Sequence, residues 1–178
     1  MNSFNIIFSI LILTLVSCNN ETSLQEYYVE NQQDNKFIAL DVPASLLTAD
    51  KSDLDSEQIA TLETIKKVNF IAFPNSDENK ATFEKEKSEL MEILENDKFQ
   101  TLMKYGGGTR RAEVYYLGEE DAIDEIIVFA SDDDKGFGVA RVLGDNMKPE
   151  SLLKLLHSFK KGDLNVEGLQ GLDGMFKD

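Results

Sequence analysis

The sequence predicts an α+β domain: a two-layer sandwich in which a mixed but mainly antiparallel sheet of five to six strands carries two to three helices on one face. Three observations lead there. Four β-rich runs between Phe99 and Leu143 are separated by turn-forming breaks too short for a crossover, so neighbouring strands must be antiparallel. Segments with apolar residues at helical spacing lie on either side of these runs, and each has a stripe to bury against a sheet. Hydrophobic residues make up 42% of the 178 and charged residues 29%, which suits one folded core rather than a disordered chain.

The elements follow in order. Residues 37–42, stopped by Pro43, read as the first strand, since proline cannot extend a ladder. Asp55 stands three residues before Gln58, and Ile59, Leu62 and Ile65 share a face, so a capped helix is expected over 55–66. A β-rich run over 68–73 ends at Pro74 as the second strand. A longer helix over 77–96 carries Phe83, Leu90, Met91 and Leu94 as its stripe, with Lys80 and Glu84, and Lys85 and Glu89, at ion-pair spacing. Four strands over 99–105, 111–117, 123–130 and 137–143 alternate with turns at 106–108, 118–121 and 132–136. The last helix, over 149–160, buries Leu152, Leu153, Leu155, Leu156 and Phe159, with Pro149 suited to its first turn. Residues 161–178 read as a glycine-containing tail, whose Gly168, Gly171 and Gly174 are too few for a repeat.

The first segment is of another kind. Residues 4–16 are apolar apart from Asn5, Ser9 and Thr14, about as long as a signal-peptide core and short of the ~20 residues a spanning helix needs. Residues 1–17 hold no Lys or Arg, so the terminal amine alone supplies positive charge. The run ends in Leu15, Val16, Ser17 and Cys18, which resembles the bacterial lipobox: an aliphatic residue at −3, small ones before the cut, then cysteine. The resemblance implies a diacylglyceryl group on the Cys18 sulfur, cleavage before Cys18 and acylation of the freed amine. Two or three chains together anchor a protein durably, where a single one does so only marginally. Asn19, in place of the Asp that holds lipoproteins at the inner membrane, favours the outer membrane, with the domain facing the periplasm or the surface. The expected organisation is a signal peptide over 1–17, a lipidated cysteine and polar tether with one helical turn over 18–35, the domain over 36–160 and the tail over 161–178.

A second resemblance covers 36–156. The short strand after a polar tether, the helical pair, the stretch from Asp97 to Met103, the glycine turn before a hairpin, and the closing strand ending in Leu143 and Gly144 ahead of Leu152 and Leu153 are similar to an uncharacterised bacterial family, domain of unknown function 4252. These are core and turn positions, so the resemblance implies fold and lipoprotein export and brings no active site.

Charge and motif content narrow the function. A net charge of −15, from 33 acidic against 18 basic residues, repels nucleic acid and anionic headgroups. Cys18 is the only cysteine and His157 the only histidine, so no internal disulfide forms and the usual thiol, triad and zinc templates lack parts. His157 lies with Lys154 and Lys161 on the polar side near a helix C-terminus, where the dipole favours its charged form. The glycines at 106–108 with Thr109, Arg110 and Arg111 join two strands and lack the pattern of a phosphate loop. Asp132, Asp133 and Asp134 form a weak calcium candidate at a loop tip, without EF-hand spacing. Glu119, Glu120 and Asp121 fall at the opposite end of the sheet. The expectation is a non-enzymatic interaction or regulatory module, lipid-anchored in the envelope without a cofactor, that offers a sheet face or edge to an envelope protein. The alternatives are a small ligand or cation carrier, and a carboxylate-dependent hydrolase.

Overall fold

The computed structural model describes residues 22–47 and 54–159, so Cys18 and the segment 161–178 lie outside the described residues. Among these the chain runs α1 (Leu24–Asn31), β1 (Ile38–Pro43), α2 (Ala44–Leu47), α3 (Ser56–Thr64), β2 (Ile65–Pro74), α4 (Lys80–Leu94), β3 (Gln100–Gly107), β4 (Arg110–Glu119), β5 (Ala122–Asp132), β6 (Gly136–Met147) and α5 (Pro149–Phe159). The six described strands form one sheet in the order β1-β2-β6-β5-β4-β3. Every pairing in it is antiparallel, so the parallel component of the expected mixed sheet is not found among the described strands. The path from β2 through α4 enters the sheet at its far edge, and the meander from β3 returns β6 to lie beside β2 in the opposite sense.

Consecutive residues of a strand point to opposite faces. Ile127 and Phe129 of β5 share one core with Phe73 of β2, Phe137 and Val139 of β6, and Phe83, Leu90 and Leu94 of α4. Ile126 and Val128, their neighbours in sequence, belong to a second core with Leu62 of α3 and Leu152 and Leu155 of α5. Helices therefore cover both faces, α1 and α4 on the first and α3 and α5 on the second. This corrects the expectation of two to three helices on one face; among the described residues there are five. The reason lies in β5: Ile126, Ile127, Val128 and Phe129 are an unbroken apolar run, and leaving one face wet would forgo roughly 1.5–3 kcal/mol for each large side chain exposed.

Residues 22–35 also differ from the expected polar tether with one helical turn. Ser23 and Glu26 make a reciprocal capping box, the Glu26 N–H donating to Ser23 Oγ at 3.2 Å and the Ser23 N–H to Glu26 Oε2 at 2.7 Å. Leu24, Tyr27 and Tyr28, at spacings of three and four, are all buried, Tyr27 completely. Tyr27 meets Phe37 edge-on at 6.2 Å, and the Tyr28 hydroxyl donates to the Leu40 carbonyl at 3.3 Å. Arg141 of β6 forms a two-pronged ion pair with Glu125 of β5, at 2.5 and 2.7 Å, and donates from its remaining nitrogen to Gln25. α1 is thus part of the core.

Tyr27 gives a direct test of this docking. Its hydroxyl has no hydrogen-bond partner among the described residues, so Tyr27→Phe is expected to leave stability unchanged or raise it, while Tyr27→Ala should cost about 3–5 kcal/mol. Urea unfolding followed by circular dichroism measures both.

Candidate functional site

The second face is only partly covered. Registers across the sheet align Ala72, Gly138, Ala130, Ala112 and Tyr105 in one row, from β2 to β3. The next row holds Phe70, Ala140, Val128, Val114 and Met103, and α3 and α5 pack beyond it. The small side chains leave a groove of about 320 Å³ with Gly138, Ala130 and Ala112 in its floor and Phe70 and Tyr105 at its two ends. Gly138 is small for a packing reason, since a Cβ there would lie 3.2 Å from Ala72 Cβ and 3.4 Å from the Phe70 ring. Across the open side Arg110 Nε donates to Asp132 Oδ2 at 2.8 Å, giving a paired, polar rim.

This trough runs out at a sheet edge. All eight residues of β3 are exposed, Tyr105 at 76% and Met103 at 53%. A bulge follows Thr101, after which pairing with β4 is regular from Met103 to Gly107. Lys104 points to the other face, 3.3 Å from Glu113. The opposite edge differs: β1 ends in Pro43 and leads at once into α2, two devices that discourage edge pairing.

The residues singled out in the sequence fall as follows. Gly106 and Gly107 end β3, paired with Arg111 and Arg110, and the β3–β4 turn is made by Gly108 and Thr109; Gly106 has φ +88°, and a Cβ there would strike the Arg110 carbonyl at 2.5 Å. Arg110 and Arg111 begin β4 and pair with Asp132 and Glu113. In the acidic tip, Asp132 accepts the Asp134 N–H at 2.9 Å, and Asp133 accepts Lys87 Nζ at 2.6 Å. The Asp134 backbone bond, with help from Lys135 and Arg110, holds the Asp132 carboxyl below the usual range. Among the described residues no three His, Cys, Asp or Glu side chains gather as a metal site. Glu119 and Asp121 sit at the other end of β5, roughly 30 Å away at strand rise. His157 falls on α5, its side chain outside the described residues, as is Cys18.

Comparison with known proteins adds the lineage. The family described as Domain of unknown function (DUF4252) matches residues 27–155, most of the chain. The chain belongs to that family. The DUF4252 match opens at Tyr27 inside α1 and closes at Leu155 inside α5, both buried core residues, so both helices are integral to the domain. No curated protein and no solved structure matches the chain.

Sequence reading had missed one further cluster in the DUF4252 domain. Glu113 of β4, its side chain 3% exposed, accepts from Arg111, Lys104 and the Tyr115 hydroxyl. Burial alone would raise its pKa, but the Arg111 and Tyr115 hydrogen bonds and the Arg111 charge outweigh it, and the carboxyl titrates below its ordinary range. Burial, and then Glu113, push the Tyr115 hydroxyl above the normal phenol range. The carboxylate is saturated with donors and the phenol is held protonated, so the group clips β3, through Lys104, to β4. Alternation along β4 alone, with Arg111, Glu113 and Tyr115 on one face, was the available signal.

Two outcomes follow. The folded pKa of Glu113 lies below its unfolded value, so its contribution is complete above about pH 4.3 and is lost as pH falls through the lower folded value. Glu113→Gln should therefore flatten acid unfolding in that window and cost about 2 kcal/mol at neutral pH, below the 3–5 kcal/mol of a fully buried pair because Arg111 and Lys104 reach water; denaturation across pH reads both. For the Asp132 tip, calorimetry with millimolar calcium is expected to give no binding heat.

Proposed function

We propose that this chain is a lipid-anchored cell-envelope protein whose DUF4252 domain is a non-enzymatic interaction module. It takes an extended segment of a basic envelope protein along β3, with that segment's apolar side chains laid towards the trough. The observation that carries this reading is that, among the described residues, an uncovered apolar trough meets a sheet edge, regular from Met103 to Gly107, that is not blunted by proline or helix. An added strand satisfies the outward backbone groups of β3, and every second side chain then falls beside Met103 and Tyr105. The chain's charge of −15 favours encounter with a basic partner. Anchoring rests on the lipobox resemblance at Leu15 to Cys18, and the outer membrane on Asn19. Nothing in this reading calls for a cofactor.

The trough also supports a second reading, a carrier of a small apolar ligand, since about 320 Å³ is at the low end of ligand pockets. Such pockets enclose most of their ligand, whereas among the described residues no helix roofs this one. The interaction module is therefore preferred.

The test has two parts. Radiolabelled palmitate fed to the native host should label the protein, and Cys18→Ser should remove the label. A photo-crosslinking residue at Tyr105 should then capture one envelope protein in cells, and that protein, purified, should bind the wild-type chain but not a folded Ala130→Arg variant. A crosslinked product of monomer or dimer mass would mean that the chain itself or a second copy fills the trough, and would overturn the reading.

A further inference from the structure

A strand added at β3 cannot fill the trough by itself. It would lie one spacing outside β3, so Ala112 of β4, Ala130 of β5 and Gly138 of β6 stand two, three and four spacings from it, about 10, 14 and 19 Å. Side chains on neighbouring strands meet at about 4.5–5.5 Å, and long ones reach diagonal neighbours at about 7–8 Å. The side chains of the added strand therefore end over Met103 and Tyr105. Most of the floor, and Phe70 at its far end, lies beyond them.

Space and chemistry define what reaches it. From the rim row of Arg110 and Asp132 to the row of Val114 and Val128, where the cover of α3 and α5 begins, is four residues along the strands, about 14 Å. A helix with its side chains is about 10–12 Å across, so one helix fits in that strip and runs across the strands. The floor consists of Ala, Gly and Val on strands paired on both sides, so it offers no hydrogen-bond partner to another backbone. An extended segment laid there would press N–H and C=O groups unpaired onto an apolar surface, whereas a helix satisfies its own. From Tyr105 to Phe70 is four strand spacings, about 19 Å, the length of about 13 helical residues.

We infer that the partner brings two consecutive elements: a strand that pairs with β3, and an adjoining amphipathic helix of about 13 residues that lies across the trough with its apolar face on Ala130 and Gly138. The outward face of that helix is basic, since the chain's charge of −15 repels an acidic segment and a second copy of the chain alike. This rests on the edge binding proposed above and names what fills the rest of that site.

The experiment places a photo-crosslinking phenylalanine analogue at position 105 or at position 70 of the full-length protein in its native host, and identifies the captured peptides by mass spectrometry. Both positions should capture the same envelope protein, at sites about 15–25 residues apart, the sum of the helix and a short connection. Synthetic peptides of the captured stretch then separate the two elements. The strand with its helix should bind the purified protein at least tenfold more tightly than the strand alone, and Ala130→Arg, folded as judged by circular dichroism, should bring the longer peptide down to the affinity of the shorter. A spacing outside that range, equal affinity of the two peptides, or a position 70 that captures nothing, another protein or this chain itself overturns the helix and leaves edge binding standing. If position 105 captures nothing, or only this chain, edge binding falls and the helix with it.

Discussion

A strand whose neighbouring side chains are both apolar has to be kept from water on both faces, and this fold is organised around that demand. β5 sends Ile127 and Phe129 one way and Ile126 and Val128 the other. The first face meets the demand with α1 and α4 over a cluster of aromatic rings, in which Phe73 stacks on Phe137 at 5.8 Å and meets Phe37 edge-on at 4.9 Å. The second face meets it differently. Two short helices cover one half, and in the other half the exposed area is reduced by making the side chains small. A row of alanine and glycine loses far less in water than a row of isoleucine would, so the sheet tolerates an opening there.

The same economy of cover explains the role of α1. Without it Phe37 and Leu90 would lie at the edge of the aromatic core. With it they are buried or nearly so. The helix is only eight residues long, too short to persist alone, so its stability comes from its capping box, its two tyrosines and the grip of Arg141 on Gln25. A segment that looks like a linker is thereby bound to the sheet.

Much of this architecture was legible. The Asp55 and Gln58 capping pair, the prolines at 43 and 74, and the glycine and aspartate turns mark boundaries that the strands and helices keep to within a few residues, because each acts through local backbone chemistry. The two-sided sheet was legible in principle, since an apolar run without alternation is the mark of a strand buried on both faces. It was read instead as a one-sided meander from the shortness of the connections. α1 reads in the sequence as one helical turn of a tether because Leu24, Tyr27, Tyr28 and Val29 in a polar stretch make a weak stripe, although Ser23 and Glu26 spell a capping box. The trough was not legible at all. Ala72, Gly138, Ala130 and Ala112 come from four strands, are scattered over the sequence, and become a surface only once the registers are known.

That origin bears on how selective the surface is. A trough made by register has no charged side chain in its floor, and its rim pair, Arg110 with Asp132, is already neutralised internally. On the proposed reading, recognition there comes from shape, from the backbone groups along β3 and from apolar side chains of the right spacing, because no fixed charge in the floor favours one partner over another. Long-range steering, by contrast, comes from the whole chain, whose charge of −15 acts before contact and weakens with salt. Approach and fit are thus set by different parts of the molecule. Surface charge distant from β3 can change with little effect on the fit, while one enlarged side chain at Ala112, Ala130 or Gly138 closes the trough and leaves the approach unaltered.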